Sequence, residues 1–173
     1  ALAYAVGIVG MTLPQVLVAP HHRVRIRNLG APASRLGIDG QPVGPPTPAG
    51  EPLYDGPSPG GRLSTIPYWG FGARIFPFAE DQVDRFNLRV IDLGSVDVAL
   101  NIREIWKGTY RDARLLHDFL IERCSIEYDE PMAFEIGGDA QGMRERVEVS
   151  LSERPIEVVD YYAPPPMGDD EGA

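Results

Sequence analysis

Nineteen glycines and seventeen prolines are spread through 173 residues, and that punctuation argues against a fold of long helices. Both residues break regular structure, Gly through its backbone freedom and Pro through its missing N–H, so a chain this rich in them is dominated by turns. Between the breaks, apolar residues recur at every second position. Arg23, Arg25 and Arg27 alternate with Val24 and Ile26, and Val147, Val149 and Leu151 alternate with Glu148 and Ser150. Period two is the signature of a strand with one buried face. By the same reading, residues 119–128 form one long strand, Met132, Phe134 and Ile136 mark another, and residues 156–162 make a last one. Leu36-Gly37-Ile38 and Pro52-Leu53-Tyr54 are brief strands, Asp39-Gly40 is a tight turn, and residues 41–50 and 56–61 are surface loops. Two segments read as helices. Residues 2–12 run up to Pro14, and residues 96–107 follow Ser95 as a candidate N-cap and are closed by Gly108. Strands separated by turn signals, with two helices, predict a mainly β protein: an antiparallel β-sandwich forming a single domain over residues 1–163. Pro164-Pro165-Pro166 then opens an acidic tail, residues 164–173, expected to be disordered.

Charge narrows the functional classes. Residues 1–75 hold six arginines and three acids, whereas residues 76–173 hold ten basic and 22 acidic side chains, giving the net charge of −9. Nucleic-acid binding leaves a basic footprint, which this chain lacks, so no nucleic-acid partner is expected. The arginines of residues 23–27 fit either a phosphate-binding face or a solvated strand face. A single cysteine, Cys124, excludes a disulfide framework and sits in an apolar run, as a buried inert thiol does. His21 and His22 have no Cys or His partners at zinc-ligand spacing. Gly-x-Ser-x-Gly, His-Glu-x-x-His and Walker A patterns are absent. The first twenty residues carry no charge but include Gly7, Gly10, Thr12, Pro14 and Gln15. They read as a helix buried against another part of the protein, at the point where the chain begins inside a longer polypeptide, rather than as a signal peptide or a membrane span.

The most informative stretch is Tyr68-Trp69-Gly70-Phe71-Gly72-Ala73-Arg74-Ile75-Phe76-Pro77-Phe78-Ala79. It reads as a Gly-interrupted strand and a Pro-marked turn. A loop carrying Glu80, Asp81 and Asp84 follows, and then an apolar strand, Leu88-Arg89-Val90-Ile91-Asp92-Leu93. This order resembles the C-terminal domain of the diacylglycerol kinase and sphingosine kinase-like lipid kinases. There a Gly-rich strand leads through Pro and Ala into an Asp-Asp-Gly-x-Leu-x-Val loop and strand. The amphipathic helix, the long strand and Gly137-Gly138-Asp139 follow in the family's order, and the similarity spans most of residues 2–162.

The resemblance implies a β-sandwich that supplies the lipid side of an ATP-dependent kinase acting on a lipid hydroxyl of diacylglycerol or sphingoid type. The family joins a strand pair by Val-Asp-Gly-Glu, whose Glu is taken as the base that deprotonates the lipid. Asp139 takes that position here, and Gly137 stands where the family has Asp. Asp84 matches the first Asp of the loop associated with magnesium, with Arg85 and Phe86 in place of the second Asp and the Gly. The cofactors implied are Mg2+ and ATP in the full-length protein. The nucleotide would be held by an N-terminal domain whose Gly-Gly-Asp-Gly-Thr loop lies upstream. A cytoplasmic location, peripheral to a membrane that presents the lipid substrate, is implied as well. The alternative expectation is a non-catalytic β-sandwich binding module.

Overall fold

Val24, Ile26 and Asn28 point inward from the first strand while the arginines between them face out, so the alternation legible in the sequence sets which side of that strand is covered. The computed structural model describes residues 22–58, 60–69 and 72–154. In chain order these form β1 (His22–Asn28), β2 (Ser34–Leu36), β3 (Pro52–Ser58), β4 (Gly61–Ser64), β5 (Phe86–Ile91), α1 (Ser95–Lys107), β6 (Leu116–Ile121), β7 (Arg123–Ile136) and β8 (Asp139–Ser150). The strands build two four-stranded antiparallel sheets, ordered β3-β1-β7-β8 and β2-β6-β5-β4. The protein is therefore mainly β, as expected, and its core lies between the sheets. Val24, Ile26, Cys124 and Ile126 come from the first sheet, and Phe86, Leu88, Val90, Phe119 and Ile121 from the second. Gly61 brings the sheets close: a Cβ there would stand 3.4 Å from Ile126 Cδ1 and 3.5 Å from Ile26 Cδ1.

The expected single strand over 119–128 is two strands in different sheets, β6 and β7, hinged at Glu122. The reason is parity. Phe119 and Ile121 are buried, and so are Cys124 and Ile126. An unbroken pleat would send odd and even positions to opposite faces. Crossing from one sheet to the other at Glu122 returns both pairs to the same core.

Other boundaries also move. Among the described residues of 68–79 no strand forms. Trp69 and Ala73 make one isolated bridge, Gly72 takes a φ of 78°, and a turn follows at residues 77–80. The segment is nonetheless anchored, because Ala73, Phe76, Phe78 and Ala79 are buried. Phe78 packs with Leu36 and Leu120 in a second, smaller cluster. β3 continues through Ser58 where a loop was expected. It is an edge strand, so Pro57 removes no ladder hydrogen bond that the sheet interior needs. The helix is close to its reading, but its N-cap is Gly94 with no side-chain cap, not Ser95. Gly108 closes it in the left-handed conformation, as expected. The readings at residues 2–12, 156–162 and 164–173 lie outside the described residues.

Candidate functional site: the Gly-Gly-Asp arm

β7 pairs with β1 only from Cys124 to Tyr128. Beyond that point, among the described residues, it pairs with β8 alone, through Met132↔Arg144, Ala133↔Met143 and Ile136↔Asp139, after a register shift between Glu127 and Met132. The result is a two-stranded arm that leaves the sheet. Its turn is Gly137-Gly138, with φ of 60° and 93°. A two-residue hairpin turn of the primed type needs positive φ at both central positions, which Gly adopts without a steric cost. Turn chemistry thus gives a reason for glycine at both Gly137 and Gly138. Asp139 is the first residue of β8, exposed, directly across from the exposed Ile136. Such a carboxylate sits on a backbone fixed by the turn and faces solvent.

Asp84 lies elsewhere. It sits in the turn before β5, and its carboxylate Oδ2 accepts a hydrogen bond of 2.9 Å from Arg85 Nη1. β5 begins beside Ile121, where β7 starts, whereas Asp139 lies past the far end of β7. A 14-residue strand spans about 45 Å at the usual rise, so the two sequence-derived site residues stand toward opposite ends of it. Among the described residues, no three His, Cys, Asp or Glu groups converge to hold a metal ion. Asp84, matched to an arginine, does not fit a magnesium ligand here.

The polar node that the sequence did not reveal is on the outer face of the second sheet. Arg89 Nε and Nη2 donate to the two carboxylate oxygens of Asp118, each at 2.8 Å, and Nη1 donates to the Ile75 carbonyl at 2.7 Å. Asn87 Nδ2 adds a 3.1 Å bond to the same carboxylate. Arg89 and Asp118 are buried and lie opposite each other on β5 and β6. The ion pair therefore fastens the turn segment around Ile75 onto the sheet. Nothing local in the sequence announces it, since its partners are 29 residues apart. A shallow cavity of about 190 Å3 adjoins it, lined by Arg35, Ile38, Val43, Arg111, Leu116 and Asp118 among others. Arg111 lies over the Phe78 ring at 5.2 Å and donates to the carbonyls of Ile38, Gly108 and Tyr110. Burial, and then the neighbouring Arg89, lower its pKa. Cys124 is fully buried, and burial pushes its thiol up to about 12, so it remains protonated and inert.

No protein-family model matches this chain, and no curated protein or solved structure matches it.

Proposed function

We propose that this chain is the lipid-side domain of an ATP-dependent lipid kinase and that Asp139 is its base. The observation that carries this reading is the placement of the Gly-Gly-Asp hairpin: a primed turn holds an exposed carboxylate at the end of the β7-β8 ladder, beyond the last residue that pairs with β1. The order of the elements, which parallels that of the lipid kinases, supports it. In the proposed step Asp139 takes the proton of a diacylglycerol or sphingoid hydroxyl as that oxygen attacks the γ-phosphorus of ATP. The bond from phosphorus to the bridging oxygen breaks, and ADP leaves. Phosphoryl transfer depends on positioning and charge neutralisation, so ATP and its magnesium are assigned to the nucleotide-binding domain that the resemblance implies. The working place is the cytoplasmic face of a membrane.

The test is ATP-dependent phosphorylation of diacylglycerol by the full-length protein and its Asp139→Asn variant. A positioned base contributes about a hundredfold or more, and a loss of that order is expected in kcat. Equal rates would remove Asp139 from the mechanism. A second reading, a non-catalytic binding module, is favoured by the Arg85 guanidinium bound to Asp84. It predicts no phosphorylation by either form.

A further inference from the structure

α1 carries its largest apolar side chains outward. Val96 is 68% exposed, Leu100 77%, Ile102 52% and Trp106 45%, whereas Val98 and Ile105 are half-buried. Val96, Leu100, Arg103 and Lys107 follow one another at intervals of four, three and four residues, the spacing of a single helical stripe. Ile102 and Trp106 form the next stripe. The kink at Asn101, whose Nδ2 donates to the Asp97 carbonyl at 2.8 Å, does not hide these positions, since their exposure is observed on both sides of it. The exposed Glu104 lies four residues after Leu100, at the edge of this face, and Asp97 is half-buried. The outward face is therefore apolar and net cationic, with Arg103 and Lys107 outnumbering Glu104.

Residues 66–69 and 72–74 extend the same surface. Arg74 N donates to the Trp106 carbonyl at 2.8 Å, and Trp69 N donates to the Ala73 carbonyl at 2.7 Å. This ties the turn to the end of the helix. Tyr68 and Trp69 are 55% and 56% exposed, and the exposed Arg74 adds a third cation. Contiguous apolar surface of this kind marks an interaction site.

We infer that this face, formed by α1 and the Tyr68-Trp69 turn, docks on an anionic lipid bilayer. Three features select that occupant. Trp and Tyr favour the headgroup level of a bilayer. Helices lying in that plane combine Trp and Leu with Lys and Arg. The cations call for anions opposite: a second copy packed about a two-fold axis would meet the same arginine and lysine, and the uncharged first twenty residues would leave them unmatched. The net charge of −9 does not oppose contact at this face, because charges more than about 8 Å away are screened at physiological salt. The inference deepens the proposed function by giving the surface that brings the protein to its lipid, and rests on that function only for the substrate.

Flotation of the full chain with phosphatidylcholine vesicles, with and without phosphatidylglycerol, tests it. Binding is expected with phosphatidylglycerol, accompanied by a blue shift of tryptophan emission and quenching by brominated lipid. Arg103→Glu with Lys107→Glu removes two attractive contacts and should weaken binding at least about tenfold. Thermal unfolding shows that the variant is folded, and quenching in the unaltered chain needs no variant. Absence of flotation overturns the inference, as do equal flotation of the variant and unquenched tryptophan. A concentration-dependent dimer that Leu100→Asp dissociates would assign the face to a second copy instead. Phosphorylation of a short-chain diacylglycerol in solution reports on catalysis alone, so the two proposals fail separately.

Discussion

Arg89 and Asp118 illustrate how a buried charge becomes obligatory once it has a partner. Their bidentate contact, extended by Ile75 and Asn87, offsets a desolvation cost that neither group could bear alone. Asp118→Ala leaves the Arg89 guanidinium buried and unpaired, and a loss of about 3–5 kcal/mol in urea unfolding is expected. Arg89→Met with Asp118→Leu removes both charges and should recover much of that loss, giving a large coupling energy in a double-mutant cycle. Arg62 is the unfinished counterpart. Its Nη1 is buried with no hydrogen-bond partner among the described residues, and burial lowers its pKa. His117 gives a pH dependence. Burial first, and then Arg35, lower its pKa below the ordinary 6.5, and its ring lies 5.0 Å from that of Tyr54. The unfolded chain therefore takes up a proton at a higher pH than the folded one. This contribution is complete above pH 6.5 and is lost as the pH falls from there toward the lower folded value. Urea stability measured from about pH 7.5 to about pH 5 should fall, and His117→Gln should flatten the part of the slope that begins near the ordinary histidine pKa. An unchanged slope in the variant would place that pH dependence on other groups.

α1 ends where the chain must turn left-handed. Gly108 has a φ of 68°, its N–H donates to the Ile105 carbonyl at 3.0 Å, and a Cβ would stand 2.4 Å from the Arg74 carbonyl oxygen. Gly108→Ala combines left-handed strain with a backbone clash and should cost about 2 kcal/mol or more in thermal or urea unfolding. Gly94→Ala, at extended φ and ψ with no side-chain cap to lose, is the control and should cost far less. The closing glycine and the helix were legible because local chemistry dictates both. β1 and β8 were legible for the same kind of reason, since β1 buries alternate residues and β8 half-buries Val147 and Val149 between exposed neighbours. The break at Glu122 was also written in the sequence, as a change of phase between Phe119-Ile121 and Cys124-Ile126, but unbroken apolar character masked it. The aromatic Gly-rich stretch misled in the opposite way. Its side chains are those of a strand, yet its backbone turns at Gly72 and again at residues 77–80, and burial of Phe76 and Phe78 comes from lying across a sheet rather than joining one. The site was legible only in part. Gly137-Gly138 announced a turn, which fixes Asp139. The contact between Asp84 and Arg85, and the meeting of Arg89 with Asp118, depend on side-chain geometry and strand register that no local pattern encodes.

The molecule divides into a sandwich that buries its own core and an arm that does not. Buried side chains on β7 end at Ile126, and from Asp129 onward most of β7 and β8 up to Arg146 is exposed, with Met132 and Phe134 half-buried. A two-stranded hairpin with no third strand among the described residues is marginal in water, so the arm is expected to contribute little to global stability. Replacing residues 134–142 with Asn-Gly joins Ala133 to Met143, which already face each other across the ladder, by a turn suited to two-residue hairpins. The shortened protein should unfold in one cooperative step with its midpoint shifted by less than about 4 °C. It should also retain amide protection at residues 124–128 of β7. In the unaltered protein, the amides of residues 132–143 should exchange orders of magnitude faster than those of residues 124–128, because opening the arm exposes almost no apolar surface. A large drop in the midpoint would mean that the arm is packed into the core rather than projecting from it. If the midpoint holds while lipid phosphorylation by the full-length protein disappears, the arm's role is to carry the chemistry at its tip, and the sandwich is the base on which it stands.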